Sequence, residues 1–371
     1  KSMHICPRCE TTLANFEVSQ GYKDITDISV TVKFELVDEP GTFVLAWTTT
    51  PWTLPGNTAL AVNPHIPYVR IKNYESGIIG EEYIVAKDRL SELAGTYEIV
   101  GEFPGSGLVG KKYKPLFDYY LKDEKLENRE NGWKIYAGDF VSTEEGTGVI
   151  HIAPAFGEDD MRLGKQYDLP FIQHVAMDGT FKPEVIDFAG LPVKPKDDHQ
   201  KTDIEILKLL HERGVLFSKQ KITHAYPFCW RCDTPLLNYA AASWFVNVTK
   251  LKPALLQTAK KITWVPAHVK EGRFGKGLET APDWAISRTR FWGAPLPVWK
   301  CGACDRKFAA GALEDLETHR MRRPNTYIFM RHGEREDIAR EKDNPKEYGP
   351  VIISSKSDTP IHVSEQGKAH A

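Results

Sequence analysis

Trp47-Thr48-Thr49-Thr50-Pro51-Trp52-Thr53-Leu54-Pro55-Gly56-Asn57 closes a strand-like run, Phe43 to Thr49, with three consecutive hydroxyls and then a proline. Pro51 disfavours helical geometry at Thr50, so the hydroxyls leave the strand in a turn and some of them project from a loop. Such hydroxyls can orient a water or hold an ester carbonyl. A Thr-rich turn can also satisfy its own backbone, and taken alone that is the commoner outcome. Outward from this stretch the pattern is that of β structure. Ile28, Val30, Val32, Phe34 and Leu36 alternate with polar residues and predict a half-buried strand over 28–36, and Tyr68 to Lys72 also reads as extended. Short strands are predicted at 83–86, 97–101, 133–137 and 149–153, separated by Gly, Pro and Asp, which argues for a β-rich, barrel-like domain. One helix is predicted from about Asp203 to Arg213, capped by Thr202 or Asp203, with Ile206, Leu207, Leu209 and Leu210 apolar and Gly214 as its stop. After residue 240 the texture turns helical and Trp-rich, from Leu251 to Lys261 and on to Trp284. A new apolar strand, Tyr327 to Met330, follows Arg323-Pro324.

Composition bounds the function classes. The 371 residues carry 48 Lys plus Arg against 50 Asp plus Glu, a formal charge of −2, with 41% hydrophobic and 26% charged residues. Neither a disordered nor a fibrous chain has these values, and the length suits two to three domains. No run approaches the roughly 18 apolar residues of a membrane span, and the opening Lys1-Ser2-Met3 carries no signal peptide. The chain reads as a soluble, cytoplasmic fragment. A near-zero charge means that any nucleic-acid partner is held by a local basic surface rather than a global field. Lys252, Lys260, Lys261, Lys270 and Arg273 could form one, although a run of this kind is more often a solvated face.

All six cysteines fall into Cys-x-x-Cys pairs: Cys6 and Cys9, Cys229 and Cys232, Cys301 and Cys304. Two such knuckles complete a four-sulfur zinc site. A redox motif or local disulfides are the alternatives, and three pairs without a secretory signal favour zinc. Glu10-Thr11-Thr12-Leu13 after the first pair and Asp233-Thr234-Pro235-Leu236 after the second read as two halves of one ribbon. Cys6, Cys9, Cys229 and Cys232 are therefore expected to share a metal and to join the two ends of everything between. Cys301 and Cys304 are left as a possible second site.

A second informative stretch runs Glu145-Gly146-Thr147-Gly148-Val149-Ile150-His151-Ile152-Ala153-Pro154-Ala155-Phe156-Gly157-Glu158-Asp159-Asp160. A lone histidine on an apolar strand is more often packing than chemistry, but the loop beyond it can present Asp160 to a cationic amine. Together with Cys6-Pro7-Arg8-Cys9, the Trp47 to Asn57 stretch, Cys229-Trp230-Arg231-Cys232-Asp233-Thr234-Pro235-Leu236 and Asp283 to Gly293, this text resembles the isoleucyl-tRNA synthetase family over residues 1–318. The Thr-Pro-Trp-Thr wording favours that family over its valyl and leucyl relatives. The resemblance implies an α/β multidomain fold: a β-barrel-rich editing domain at 10–225, inserted in a class I Rossmann-type catalytic core of which 241–318 is a part. A zinc-binding junction would be built from 1–9 and 226–240.

The same resemblance implies roles. Thr48, Thr49 and Thr50 would line a hydrolytic pocket and position a misacylated ester and water, with Trp52 and Asn57 near the substrate. Asp160 would pair with the α-ammonium, and His151 would limit pocket size so that valine fits and isoleucine does not. A second sieve is needed because one methylene discriminates by only about 10–200-fold in an apolar pocket, a limit of which isoleucine against valine is itself the standard illustration. Trp244, Trp284 and Trp292 would bound the synthetic site or serve as ordinary core aromatics. Implied partners are tRNA(Ile), isoleucine and valine, with no membrane and a monomeric state. ATP and magnesium would serve only the full-length enzyme, because the His-Ile-Gly-His and Lys-Met-Ser-Lys-Ser signatures are not in these 371 residues, and Ser354 to Ser357 is no substitute.

The end of the chain resembles a second family. Tyr327-Ile328-Phe329-Met330-Arg331-His332-Gly333-Glu334, with Asp358-Thr359-Pro360 and the Ser364 to Ala371 block, is similar to the opening of the histidine phosphatase superfamily. That implies an incomplete α/β segment at 324–371 in which His332 attacks a phosphoryl group and Arg331 holds its oxygens. Three functions follow as expectations: an isoleucine-tRNA ligase fragment with an editing hydrolase, a phosphohydrolase fused at the C-terminus, and a non-catalytic zinc-ribbon RNA-binding module.

Overall fold

Alternating apolar residues make long strands here, and the strands set where the hydroxyl-rich turn can sit. The computed structural model describes residues 1–73, 81–289, 295–302, 304, 306–320, 327–328 and 352–353. Contacts divide the chain into two units, Lys1–Arg288 and Thr289–Ala371. The first opens with β1 (Ser2–Cys6), β2 (Thr11–Thr12), α1 (Asn15–Ser19), β3 (Tyr22–Glu35) and β4 (Thr42–Thr48). After a 3-10 turn at Pro51–Gly56 come β5 (Ala59–Val62), β6 (Pro67–Asn73), β7 (Glu82–Ala86), β8 (Tyr97–Pro104), β9 (Lys134–Ala137) and β10 (Val149–Ile152). Then follow α2 (Glu158–Gln166), α3 (Lys201–Glu212), β11 (Leu216–Pro227), β12 (Leu237–Ala240), β13 (Phe245–Val246), α4 (Val248–Lys261), α5 (Arg273–Thr280) and β14 (Trp284–Ala285).

The largest sheet has the order β11-β3-β4-β7-β6-β8. Its β4–β7 pair is parallel and its other pairs are antiparallel. A second sheet, β10-β5-β9, is also mixed, and a third, β12-β1-β2, carries the cysteine ends of the unit. These mixed sheets with intervening helices are an α/β multidomain arrangement. The main core gathers Val30, Val32 and Phe34 of β3, Val44 and Ala46 of β4, and Leu60 and Val62 of β5. Each such side chain contributes about 1.5–3 kcal/mol when fully buried. Residues 146–148 join the first two sheets: Thr147 Oγ1 donates to Leu45 O at 2.7 Å, Ala86 N donates to Thr147 O at 3.0 Å and Tyr68 OH donates to Gly148 O at 2.6 Å. That joint brings β10 behind the end of β4.

Two expectations change. The strand predicted at 28–36 is β3, extended to Tyr22, and it is not half-buried: Ser29, Thr31 and Lys33 on its polar face are covered as fully as Val30 and Val32. The polar face lines a cleft, and Lys33 pairs there with Glu81 at 2.8 Å. The helix predicted at 203–213 is α3, but its N-cap is Gln200, so Thr202 and Asp203 lie inside the first turn. Thr202 Oγ1 donates backward to Pro192 O at 2.6 Å, and Asp203 is buried beside Lys194. Gly214 ends the helix as expected, with φ at +68° where a side chain would be strained.

The second unit contains β15 (Val298–Lys300) paired antiparallel with β16 (Lys307–Ala309), then α6 (Leu313–Arg320), whose start is held by Asp315 Oδ2 accepting from Gly311 N at 2.8 Å. Tyr327–Ile328 pairs antiparallel with Ile352–Ile353. Arg331, His332, Gly333, Glu334 and Trp292 lie outside the described residues, as do residues 354–371. Among the described residues no helix is long and apolar enough to cross a membrane.

Candidate functional site

The end of β4 is where the hydroxyls gather. Pro51 does to Thr50 what its chemistry dictates: Thr50 takes φ −127° and ψ 72°, outside the helical region, and caps the 3-10 turn that Pro51 begins. Thr48 Oγ1 lies 3.2 Å from Thr50 Oγ1 and accepts from Thr50 N at 3.1 Å. Thr50 Oγ1 is 3.2 Å from Thr53 Oγ1, and Thr53 Oγ1 is 2.9 Å from His151 Nε2. Four side chains thus form one hydrogen-bonded chain: Thr48, Thr50, Thr53 and His151.

The proton positions at the inner end follow from valence. Thr53 has one hydroxyl proton, which it donates to Thr50 O at 2.7 Å. It therefore accepts from His151, whose Nε2 carries the proton and whose Nδ1 presents a lone pair. His151 Nδ1 is buried and has no hydrogen-bond partner. Burial lowers the His151 pKa to about 4, so the ring is neutral near pH 7.

Asp160 stands in the first turn of α2, and its Oδ2 accepts from Ala153 N at 2.8 Å, just past the end of β10. The carboxyl folds back over Gly157, where a Cβ would come within 2.6 Å of Asp160 Cγ, so only glycine admits this placement. Burial raises the Asp160 pKa to about 7, the Ala153 N–H opposing and Asp159 adding to the rise. An ammonium brought to this carboxyl would restore its charge.

The other expected residues are placed differently. Thr49 points away from Thr48 and Thr50, as strand alternation requires, and lines a cleft of about 780 Å³ with Trp47, Thr31, Lys33 and Arg89. The expectation of three threonines on one wall is corrected to two, with Thr53 as the third member. Trp52 is a core residue, 2% exposed and edge-on to Phe156 at 5.3 Å, rather than a substrate contact. Asn57 is corrected likewise: it is buried, donates to Ala59 O at 2.9 Å and accepts from Tyr113 OH at 2.6 Å, so its amide fastens the exit of the turn. Trp284 is 59% exposed on β14, paired with Val246. Sequence reasoning passed over Thr53 and His174. Thr53 was legible from its spacing, three residues after Thr50 in a proline-led turn; His174, a single histidine in apolar text, gave no signal.

The metal expectation finds its residues assembled. Cys6, Cys9, Cys229 and Cys232 place their sulfurs within 4.8 Å of one another. Sγ of Cys232 is 3.4 Å from that of Cys6 and 3.6 Å from that of Cys9. Tetrahedral bonds of about 2.3 Å to zinc put neighbouring thiolates a little under 4 Å apart, so the cluster can hold a metal ion with small adjustment. Burial pushes the Cys6 and Cys9 thiols up, so four thiolates here call for a cation. Cys301 and Cys304 are exposed at the β15–β16 turn, and among the described residues no third or fourth ligand joins them.

Comparison with known proteins follows the same line. The family profile of class I tRNA synthetases (I, L, M and V) matches residues 1–348. The isoleucine–tRNA ligase of Clostridium acetobutylicum is 46% identical over 317 residues, covering 85% of this chain and 29% of that protein. Those of Clostridium novyi and Bacillus thuringiensis strain Al Hakam are 45% and 44% identical, over 84% and 85% of this chain. The chain thus spans under a third of the length of these relatives, 28–29%. A solved structure, GlLeuRS-CP1, aligns with TM-score 0.30 and 19% identity, covering 37% of this chain and 59% of that one.

Proposed function

The chain belongs to the class I tRNA synthetases of the I, L, M and V group, and from that premise we propose that it is the proofreading part of an isoleucine–tRNA ligase. On this reading it hydrolyses valine from misacylated tRNA(Ile), and the whole protein attaches isoleucine with ATP and magnesium in the cytoplasm, as a monomer. The observation that carries the reading is the hydroxyl chain from Thr48 through Thr50 and Thr53 to a neutral His151, with Asp160 hung from Ala153 two residues beyond that histidine.

Each group then has a task. Asp160 binds the α-ammonium of the aminoacyl ester by a charge-assisted hydrogen bond. Thr48 and Thr50 orient the attacking water, whose oxygen adds to the ester carbonyl while the ribose oxygen departs with a proton. A terminal hydroxyl of the tRNA assists, since among the described side chains none here is set up as a nucleophile. His151 gives bulk without charge and bars isoleucine. Trp284 would bound the synthetic site, in a catalytic core beginning near 241, and the editing domain would run from 10 to 225 as a β-barrel-rich insert. Zinc in the Cys6, Cys9, Cys229 and Cys232 cluster would close the ribbon formed by 1–9 and 226–240; the chemistry it supplies is structural.

Deacylation of valyl-tRNA(Ile) and isoleucyl-tRNA(Ile) by the full-length protein tests this reading. Removing one charge-assisted bond costs about 1.5–3 kcal/mol, so Asp160→Ala should lower kcat/KM for the valyl ester roughly 10- to 100-fold. Full activity in that variant would refute the role of Asp160.

A further inference from the structure

The Pro51–Gly56 turn cannot complete its own hydrogen bonding. In a 3-10 turn the carbonyl of residue i accepts from the N–H of i+3, and the partner due to Trp52 O is Pro55, which has no N–H. Thr53 N bonds Thr50 O at 3.0 Å and Asn57 N bonds Leu54 O at 3.0 Å, so the gap is at Trp52, immediately before the residue that reaches His151. His174 fills it: its Nε2 lies 2.9 Å from Trp52 O and donates to it. The opposite edge of the same ring rests on the other end of the turn. A Cβ at Gly56 would stand 2.2 Å from His174 Nδ1 and 2.5 Å from Cε1. The imidazole is fully buried, stacked on Phe181 at 5.8 Å and edge-on to Phe156 at 4.6 Å.

A residue kept for packing alone would not be a histidine. His174 Nδ1 has no hydrogen-bond partner, a cost to a buried polar atom that an apolar ring would avoid. What the imidazole offers in exchange is the Nε2–H that Pro55 withholds.

We propose that His174 is a positioning residue for the hydrolytic turn, clamping Trp52 O and Gly56 so that Thr53 meets His151. This rests on the proofreading reading above. The ring is fully buried and acts through the turn, so its loss should appear in kcat for valyl-tRNA hydrolysis and leave KM nearly unchanged.

The test uses the full-length protein and two readouts. In deacylation of valyl-tRNA(Ile), His174→Ala should lower kcat about 10- to 100-fold, the cost of displacing a reacting group by an ångström or so. His174→Gln, which restores an N–H donor, should recover most of it. Gly56→Ala should fall similarly in the wild-type background because its methyl meets the ring, and should cost little more in the His174→Ala background. In nitrogen NMR of the histidines, the His151 Nε2–H signal should shift in His174→Ala and return in His174→Gln. Wild-type kcat in His174→Ala, or equal effects of Gly56→Ala in both backgrounds, would overturn the proposal. If the wild-type protein does not hydrolyse valyl-tRNA, the functional reading fails, and the NMR readout alone decides: an unmoved His151 signal in His174→Ala sinks the clamp.

Discussion

On the proposed reading, Asp160 has two demands on it that oppose one another. To hold an ammonium it must be ionised, yet burial holds its folded pKa near 7, against about 3.9 in an unfolded chain. The folded state therefore binds the proton more tightly. Its contribution to stability is fully present below pH ~4 and is lost as the pH rises through about 7, so the empty protein is less stable at pH 8 than at pH 5 on this account. Asp160→Asn keeps the Ala153 N–H bond and removes the charge. We expect its Tm at pH 8 to exceed wild type by about 3–6 °C, with the difference vanishing near pH 4, while kcat/KM for valyl-tRNA falls roughly 10- to 100-fold, as in Asp160→Ala. Thermal melts of both proteins across pH 4–8 check this; parallel curves would show that Asp160 titrates normally. The same ionisation should make wild-type kcat/KM for the valyl ester climb about tenfold per pH unit below 7 and level off above it.

Among the elements, α3 lies against the Pro51–Gly56 turn and is fastened by a buried ion cluster. Lys194 Nζ is 2.8 Å from Asp27 Oδ1 on β3 and 3.3 Å from Asp203 Oδ2 on α3, and all three side chains are 0–1% exposed. His224 and His199 reach Asp27 from the rim at 3.2 and 3.5 Å. One cation thus serves two carboxylates, and burial still pushes Asp203 up to about 7 despite Lys194. Lys194→Met should cost about 3–5 kcal/mol in urea unfolding, because it strands two buried acids. Adding Asp27→Asn and Asp203→Asn should return most of that; a loss below about 1 kcal/mol in the single variant would show that the acids are neutral without lysine.

That cluster also marks where sequence legibility ends. The strand at 28–36, the helix near 203–213 and the turn at Pro51 were readable because periodicity and proline act locally. Asp203 read as a helix cap, for Asp before an apolar run usually is one; its real partner is a lysine fixed only by tertiary packing. Ser29, Thr31 and Lys33 read as solvent-facing for the same reason, since nothing local announces that β11, β4 and the Glu81 carboxylate cover them. In the site, Thr48, Thr50, His151 and Asp160 were legible as a motif. Thr49 was separable from them by strand alternation alone, whereas the service of Asn57 and His174 to the turn depends on contacts 56 and 122 residues away in sequence.

Over the whole molecule the two ends of the large excursion between residues 10 and 228 return to one place. The repeated text after Cys9 and Cys232 predicted this pairing, and β12 completes it by lying antiparallel to β1 with Ser2 opposite Ala240. Around the sulfurs Leu13, Val18 and Leu236 form a small core, while Ile5 of β1 and Leu237 and Tyr239 of β12 pack into the main one. Three apolar side chains cannot order the knuckles, β2 and α1 by themselves, since fixing each residue costs about 1–2 kcal/mol in backbone entropy. β3 and β4 share their core with β1 and β12, and the knuckles lie outside it. Metal removal should therefore loosen the knuckles selectively: treatment with a strong chelator, followed by hydrogen exchange, should raise exchange in β2, α1 and the two Cys-x-x-Cys turns by orders of magnitude while leaving β3, β4 and β7 protected. Cys229→Ser should reproduce the pattern without chelator. Uniform loss of protection would mean that the metal cluster and the sheet unfold as one unit, and no change in either experiment would mean that the four thiols are not a metal site. Because the Pro51–Gly56 turn hangs from β4 and β10 rather than from β1, the proposed valyl-tRNA hydrolysis should outlast the chelator better than any activity that needs the two ends held together.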